Sequence, residues 1–307
     1  MSRRRSHHHA SRSLGLLLAA ALASGLLGCS GPAPEPVATL GLDTDQLELP
    51  FPEWRSLRLT WTPTRALDAG ASVRVFLHLL DSDHELVRTF DHPFPGEWKV
   101  GEPVGDEVRL YQSALGPPLP PGAYTLTAGL HAADGERFPI EVEGRPNTLV
   151  GRFEYSIARV TVPEVSPDAP GFTFADAWDD LEAGADTQVL GRRWLEGDGI
   201  IRILNLEVPG SVWLRLDIPK EGEPGGRQVA PRSPGEAPTL EIVSTCSGVT
   251  RTVEVPGMRE EVLPVYPRDG APECEILLTA NYRLVDPKAR RTDVAALEVI
   301  AFTPAEL

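Results

Sequence analysis

The property that most restricts how this chain can fold is a side-chain period of two. In "SLRLTWTP" the apolar residues Leu57, Leu59 and Trp61 alternate with Arg58, Thr60 and Thr62. In "SVRVFLHLLD" Val73, Val75, Leu77 and Leu79 alternate with Arg74, Phe76, His78 and Leu80. Successive residues of a strand point to opposite faces of a sheet, whereas a helix repeats its apolar positions every three to four residues. "AYTLTAGLH" and "IARVTVP" continue the pattern, and 30 prolines with 28 glycines fall between such runs as turns. The expected fold class is all-β: two antiparallel β-sandwich domains, over 38–162 and 172–307.

The second half reads "GIIRILNLEV", "VWLRLDIP", "TLEIVSTC", "RTVEVPG", "EVLPVYP", "CEILLTANYRL" and "ALEVIAFTP", all strand-like. This number of strands, ending on an apolar one, predicts a jelly-roll-like sandwich. Only "ADAWDDLEAGAD" carries a short helical pattern. "PKEGEPGGRQVAPRSPGEAP" has no apolar periodicity and reads as surface loop, and "PEVSPDAPG" (163–171) reads as the linker between the halves.

The N-terminus gives an address. Arg3, Arg4, Arg5 and Arg12 precede an almost purely Leu/Ala/Gly run, too short to span a bilayer, which needs about 20 residues. The run ends "LLGC", which resembles the lipobox of bacterial lipoproteins. That resemblance implies a signal peptide over 1–28 and a diacylglyceryl lipid on the Cys29 thiol, with Cys29 the new first residue. Ser30 after the cysteine favours the outer membrane. "SGPAPEPVA" completes a Pro-rich tether over 29–37, extended because proline fixes φ. His7, His8 and His9 fall in the removed segment.

The formal charge is −15 and becomes more negative once the basic leader is gone. An acidic body excludes nucleic acid and docking on anionic headgroups, since both demand clustered Lys and Arg. Cys246 and Cys274 remain, an even pair expected to form a disulfide in an oxidising compartment, with two buried free thiols as the alternative.

"LPPGAYTL" resembles the approach to the penultimate strand of immunoglobulin- and fibronectin-III-like domains, where a tyrosine, here Tyr124, bonds back to upstream backbone. "VFLHLLDSDHELVRTFDHPFPGEWKVGEPVGDE" followed by "LPPGAYTLTAGLH" resembles a sandwich module of bacterial extracytoplasmic proteins, including the soluble tails of membrane glycosyltransferase-like proteins. The matching positions are Phe76, His78, Asp91, His92, Trp98, Gly101, Glu102, Asp106, Pro121, Gly122 and Tyr124. The second half resembles the jelly roll that accompanies such a module, ending in "TDVAALEVIAF", but lacks its Arg-x-Leu-Gly. The resemblance implies fold rather than activity.

The candidate ligand surface is Asp91, His92, Trp98, Glu102 and Asp106, on and around a long loop, with Trp98 equally suited to cap the core. His78, Asp81, Asp83, His84, Asp91 and His92 invite a metal reading, but strand geometry opposes it. If 81–85 is a hairpin turn, His78 faces Arg88 and His92 faces Arg74, on one face but roughly 13 Å apart. Asp176, Asp179, Asp180 and Glu182 lack the spacing of a calcium loop. No metal or other cofactor is expected. No Gly-x-Ser-x-Gly elbow occurs, and no histidine follows His131.

The expected role is a non-catalytic envelope lipoprotein that binds or scaffolds a glycan or a protein partner. The alternatives are a glycoside hydrolase-like enzyme with converging carboxylates, and an assembly partner of an envelope membrane complex. A flat face exposing Trp54, Trp98 or Trp213 would mark a sugar-stacking platform. A deep cleft with carboxylates about 5–10 Å apart would mark hydrolysis.

Overall fold

The structure, a computed structural model, describes residues 34–67, 72–183, 191–218, 228–233, 235–255, 257–267, 274–285 and 294–305. Cys29, the expected signal peptide and most of the tether lie outside them. The first module contains β1 (Ala38–Leu42), β2 (Gln46–Glu48), β3 (Trp54–Pro63), β4 (Val73–Leu80), β5 (Leu86–Thr89), β6 (His92–Pro93), β7 (Val104–Tyr111), β8 (Gly122–Ala132), β9 (Arg137–Phe138), β10 (Ile140–Val142), β11 (Leu149–Gly151) and β12 (Glu154–Val162). The second contains β13 (Gly171–Trp178), β14 (Glu182–Ala183), β15 (Gly191–Leu204), β16 (Gly210–Ile218), β17 (Gln228–Pro231), β18 (Thr239–Ser244), β19 (Thr250–Glu254), β20 (Gly257–Val265), β21 (Cys274–Ala280), β22 (Tyr282–Val285) and β23 (Ala295–Pro304). The described chain is all-β.

In the first module the sheet β10-β1-β3-β7 faces the sheet β11-β12-β8-β4-β5. The alternation read from the sequence sets the faces. Leu57, Leu59 and Trp61 point inward from β3, and Val75, Leu77 and Leu79 from β4; all are 1% exposed or less. The Tyr124 hydroxyl donates to the Pro120 carbonyl at 2.7 Å, the corner that the immunoglobulin-like resemblance implies.

In the second module one sheet runs β19-β18-β21-β15-β23-β16-β20, with β13 and β14 on β15. It rolls until β18 approaches β20, where the Ser244 hydroxyl donates to the Pro264 carbonyl at 3.1 Å. Ile201, Ile203, Leu214, Leu216, Ile276 and Leu278 fill the inside of the roll. Cys246 and Cys274 form a disulfide, with Cα atoms 5.5 Å apart. It ties the turn after β18 to the first residue of β21, the strand that pairs with it.

Three expectations need correction. The segment with the helical pattern is not helical over its described residues, 175–183: β13 pairs antiparallel with β15 because Phe172 and Phe174 alternate onto the core. Asp176, at φ 59°, then shifts the register before Trp178. The presumed loop 219–238 contributes β17, which pairs with β22. In the β4–β5 hairpin the register slips by one between Leu79 and Leu80, so His78 faces Thr89 and His92 faces Val75. Cross-strand partners share a face, so the two histidines lie on opposite faces of the sheet.

The modules are not separate bodies; residues from Pro36 onward form one compact unit. β23 is buried on both faces. Leu297, Ile300 and Phe302 enter the second core, while Val299, Ala301 and Trp213 of β16 join the first. β15 pairs with β23 only at Ala295–Leu297, and the first module bonds the backbone beyond. Ala114 N–H donates to Ile300 C=O, and Phe302 N–H donates to Pro52 C=O, both at 2.8 Å.

Candidate functional site

Of the five residues proposed from the sequence, three come together. Asp106 points inward from β7 opposite Leu59, with its side chain 4% exposed. One carboxylate oxygen accepts the Trp61 indole N–H at 3.0 Å and lies 3.0 Å from Nε2 of His92, which reaches across from the facing sheet. His92 Nδ1 lies 2.9 Å from the Phe90 carbonyl. Burial opposes a charge on this imidazole, but the bonds to Asp106 and Phe90 outweigh it and hold its pKa above the ordinary value. His92 and Asp106 thus form a charge-assisted latch between the two sheets.

Asp91, beside the latch, accepts the Leu77 backbone N–H at 3.1 Å and lies 3.6 Å from His78 Nε2 on the outer face. His78 Nδ1 is 2.9 Å from Glu154, which also accepts the Thr127 hydroxyl at 2.7 Å and an Arg137 N–H at 2.9 Å. Burial by itself would push the His78 pKa down; Asp91 and Glu154 together push it up to about 9. Burial would likewise raise Glu154, but its bonds to His78, Thr127 and Arg137 bring it down to about 2. Both groups are charged and fully occupied at neutral pH. Among the described residues no group of three or more His, Cys, Asp or Glu is placed to hold a metal ion.

Trp98 and Glu102 stand apart from this group. Trp98 is half-buried against the first core, 5.1 Å from the Phe94 ring, and its indole N–H donates to the Arg65 carbonyl at 3.0 Å. It caps the core. Glu102 is exposed, 3.9 Å from Lys99.

A cleft with no local motif in the sequence lies at the module junction. It has a volume of about 610 Å³ and lies between β7 and β20, each the edge strand of its sheet. Asp91 and His92 line one wall; Tyr111 and Trp213 line the floor, their rings edge to face at 5.0 Å. Arg109 lies 5.3 Å from the ring centres of both Trp54 and Trp213 and donates to Glu260 at 2.6 Å. Glu298, 4% exposed, is bonded by Arg192 and paired with Arg215 at 3.5 Å. Trp213 is 2% exposed, and Trp54 and Trp98 are half-buried, so none of the three offers a flat open ring.

No family model and no curated protein matches the chain. Among solved structures it is similar to Bacteroides uniformis beta-glucuronidase 2 covalently bound to cyclophellitol-6-carboxylate aziridine, at 12% identity and a TM-score of 0.25. That match covers 90% of this chain and 30% of the other, so this chain spans under a third of the glucuronidase. It is also similar to a chaperone-tip adhesin complex of CFA/I fimbriae biogenesis, at 10% identity and a TM-score of 0.21, covering 90% and 78% of the two chains. Likeness this weak adds nothing to the reading from residues.

Proposed function

We propose that this chain is a non-catalytic binding or scaffolding module of the bacterial envelope, held at the outer membrane by a lipid on Cys29. Its partner is a glycan or another envelope protein. The observation that best supports the non-catalytic part is how the ionisable groups around the ligand surface are engaged. Asp106 is clasped by Trp61 and His92, Asp91 by Leu77, and Glu154 by three donors. A general acid or base must be free to exchange its proton with a substrate, and these groups are engaged in bonds between the two sheets (Asp106) or within one of them (Asp91 and Glu154). The shared core between the modules supports a presenting role, since residues from Pro36 onward form one compact unit with the cleft at its seam.

Membrane fractionation of the Cys29→Ser chain tests the anchor. The expected result is release of the folded body into the soluble fraction; unchanged retention refutes the lipid tether. Incubating the same protein with polysaccharides and assaying new reducing ends tests the rest. Turnover above the blank, lost in an Asp91→Asn or Glu260→Gln variant, overturns the non-catalytic role.

A further inference from the structure

The junction cleft continues beyond β7. A second depression, of about 750 Å³, runs along the start of β3 and the end of β23, and Glu107 lines both. The shared wall is the outer face of the β3–β7 pair, where Ser56 lies opposite Arg109 and Arg58 opposite Glu107. Ser56 donates to Glu107 at 2.8 Å. From the second module, Ser211 and Thr303 face the same depression. The result is a two-lobed groove along the seam.

Three observations specify what would fit it. First, its charges balance: the lining holds four arginines (55, 58, 109 and 215) against five carboxylates (43, 91, 107, 260 and 298), with His92 alongside. A strongly anionic or cationic ligand would gain little. Second, donors and acceptors alternate at neighbouring positions, Ser56 and Arg58 beside Glu107, and Arg109 beside Glu260. A vicinal diol needs this arrangement, because each hydroxyl both donates and accepts. Third, the indole N–H groups of Trp54 and Trp213, whose ring centres each lie 5.3 Å from the Arg109 guanidinium, are buried without a hydrogen-bond partner. Orphan donors like these cost about 1–3 kcal/mol each, so a ligand oxygen that reaches either one through a small shift of the side chains above it recovers that cost. A protein interface would need an apolar centre, and of the lining residues only Met258 is a large apolar side chain in the open.

We propose that the seam groove binds a neutral oligosaccharide, lying along Arg58, Glu107 and Arg109 and held by hydrogen bonds rather than by ring stacking. The inference rests on the binding role proposed above and narrows it to one ligand class.

The test uses the Cys29→Ser chain against immobilised neutral linear oligosaccharides, from disaccharide to octasaccharide, with acidic oligosaccharides alongside. Titration calorimetry then compares it with Arg58→Ala and Glu107→Gln, both exposed positions whose folding is checked by thermal melts, and with Lys99→Ala as a control. The expected result is saturable binding to a neutral series, tightening with chain length. Each groove variant should weaken it about 10-fold, and the control should not. Absence of neutral-sugar binding, preference for the acidic series, or equal affinity in all variants overturns the proposal. If the chain binds no sugar but captures an envelope protein in a way that Arg58→Ala abolishes, the ligand class falls and the binding role stands. If neither sugar nor protein binds saturably, both fall.

Discussion

At the scale of single residues, the molecule places charge where burial discourages it and then neutralises it locally. His78 and Glu154 show the consequence. The pKa of His78 is raised in the fold, from 6.5 to about 9, so its contribution to stability is full below about 6.5 and is lost as pH rises through 9. That of Glu154 is depressed from 4.5 to about 2, so its contribution is present above 4.5 and is lost as pH falls through 2. The pair therefore supports the fold most between pH 4.5 and 6.5, and its share fades toward pH 9. Allowing for partial solvent screening, that share is on the order of 1–2 kcal/mol. Melting curves of the native chain and the His78→Gln variant, taken from pH 5 to pH 10, should converge at the alkaline end. A constant gap between them would remove the ion pair from the account. The sequence placed His78 and His92 on one face because a regular hairpin would. One extra residue in β5 reverses that outcome, and nothing in "DSDHELVRTF" announces it.

At the scale of elements, alternation was a sound guide wherever one face of a strand meets a core and the other meets water. β3 could be read directly for that reason. Alternation fails where the second face is also covered. "AALEVIAF" is apolar without interruption save for Glu298, the pattern of a strand buried on both sides. Glu298 is tolerated there because Arg192 and Arg215 meet it. β15 is longer than its apolar part, since "GRRWLEGD" extends it through polar residues that pair with β14 and β23. The closeness of β16 to β23 also explains Gly210. A Cβ there would lie 2.4 Å from both the Phe302 ring and the Thr303 carbonyl oxygen. The backbone oxygen cannot move aside as a side chain can. Gly210→Ala should cost about 1–3 kcal/mol, read as a lower urea midpoint at unchanged slope. A neutral result would mean that the two strands part more easily than their pairing implies.

At the scale of the whole molecule, the seam decides how the chain unfolds and what it can hold. A sequence reading divides the chain at 163–171 because the linker looks like one. It cannot see that Pro52 and Ala114 supply hydrogen bonds to β23, nor that Arg109 meets Glu260 from 151 positions away. The groove escaped the sequence for the same reason: its walls come from strands whose proximity is set by packing rather than by any local motif. Because the core is shared, neither module is complete alone. Without residues 52 and 114, the open backbone of β23 beyond Leu297 and the outward faces of Trp213 and Val299 would meet water. Calorimetry of the intact body should therefore give one transition, with van't Hoff and calorimetric enthalpies in agreement. Cleavage within 163–171 should leave the two pieces associated, and the piece from 172 onward, made by itself, should not melt cooperatively. Two resolved transitions in the intact chain would mean that the modules fold independently. The groove between them would then open and close with their relative motion instead of being a fixed receptor.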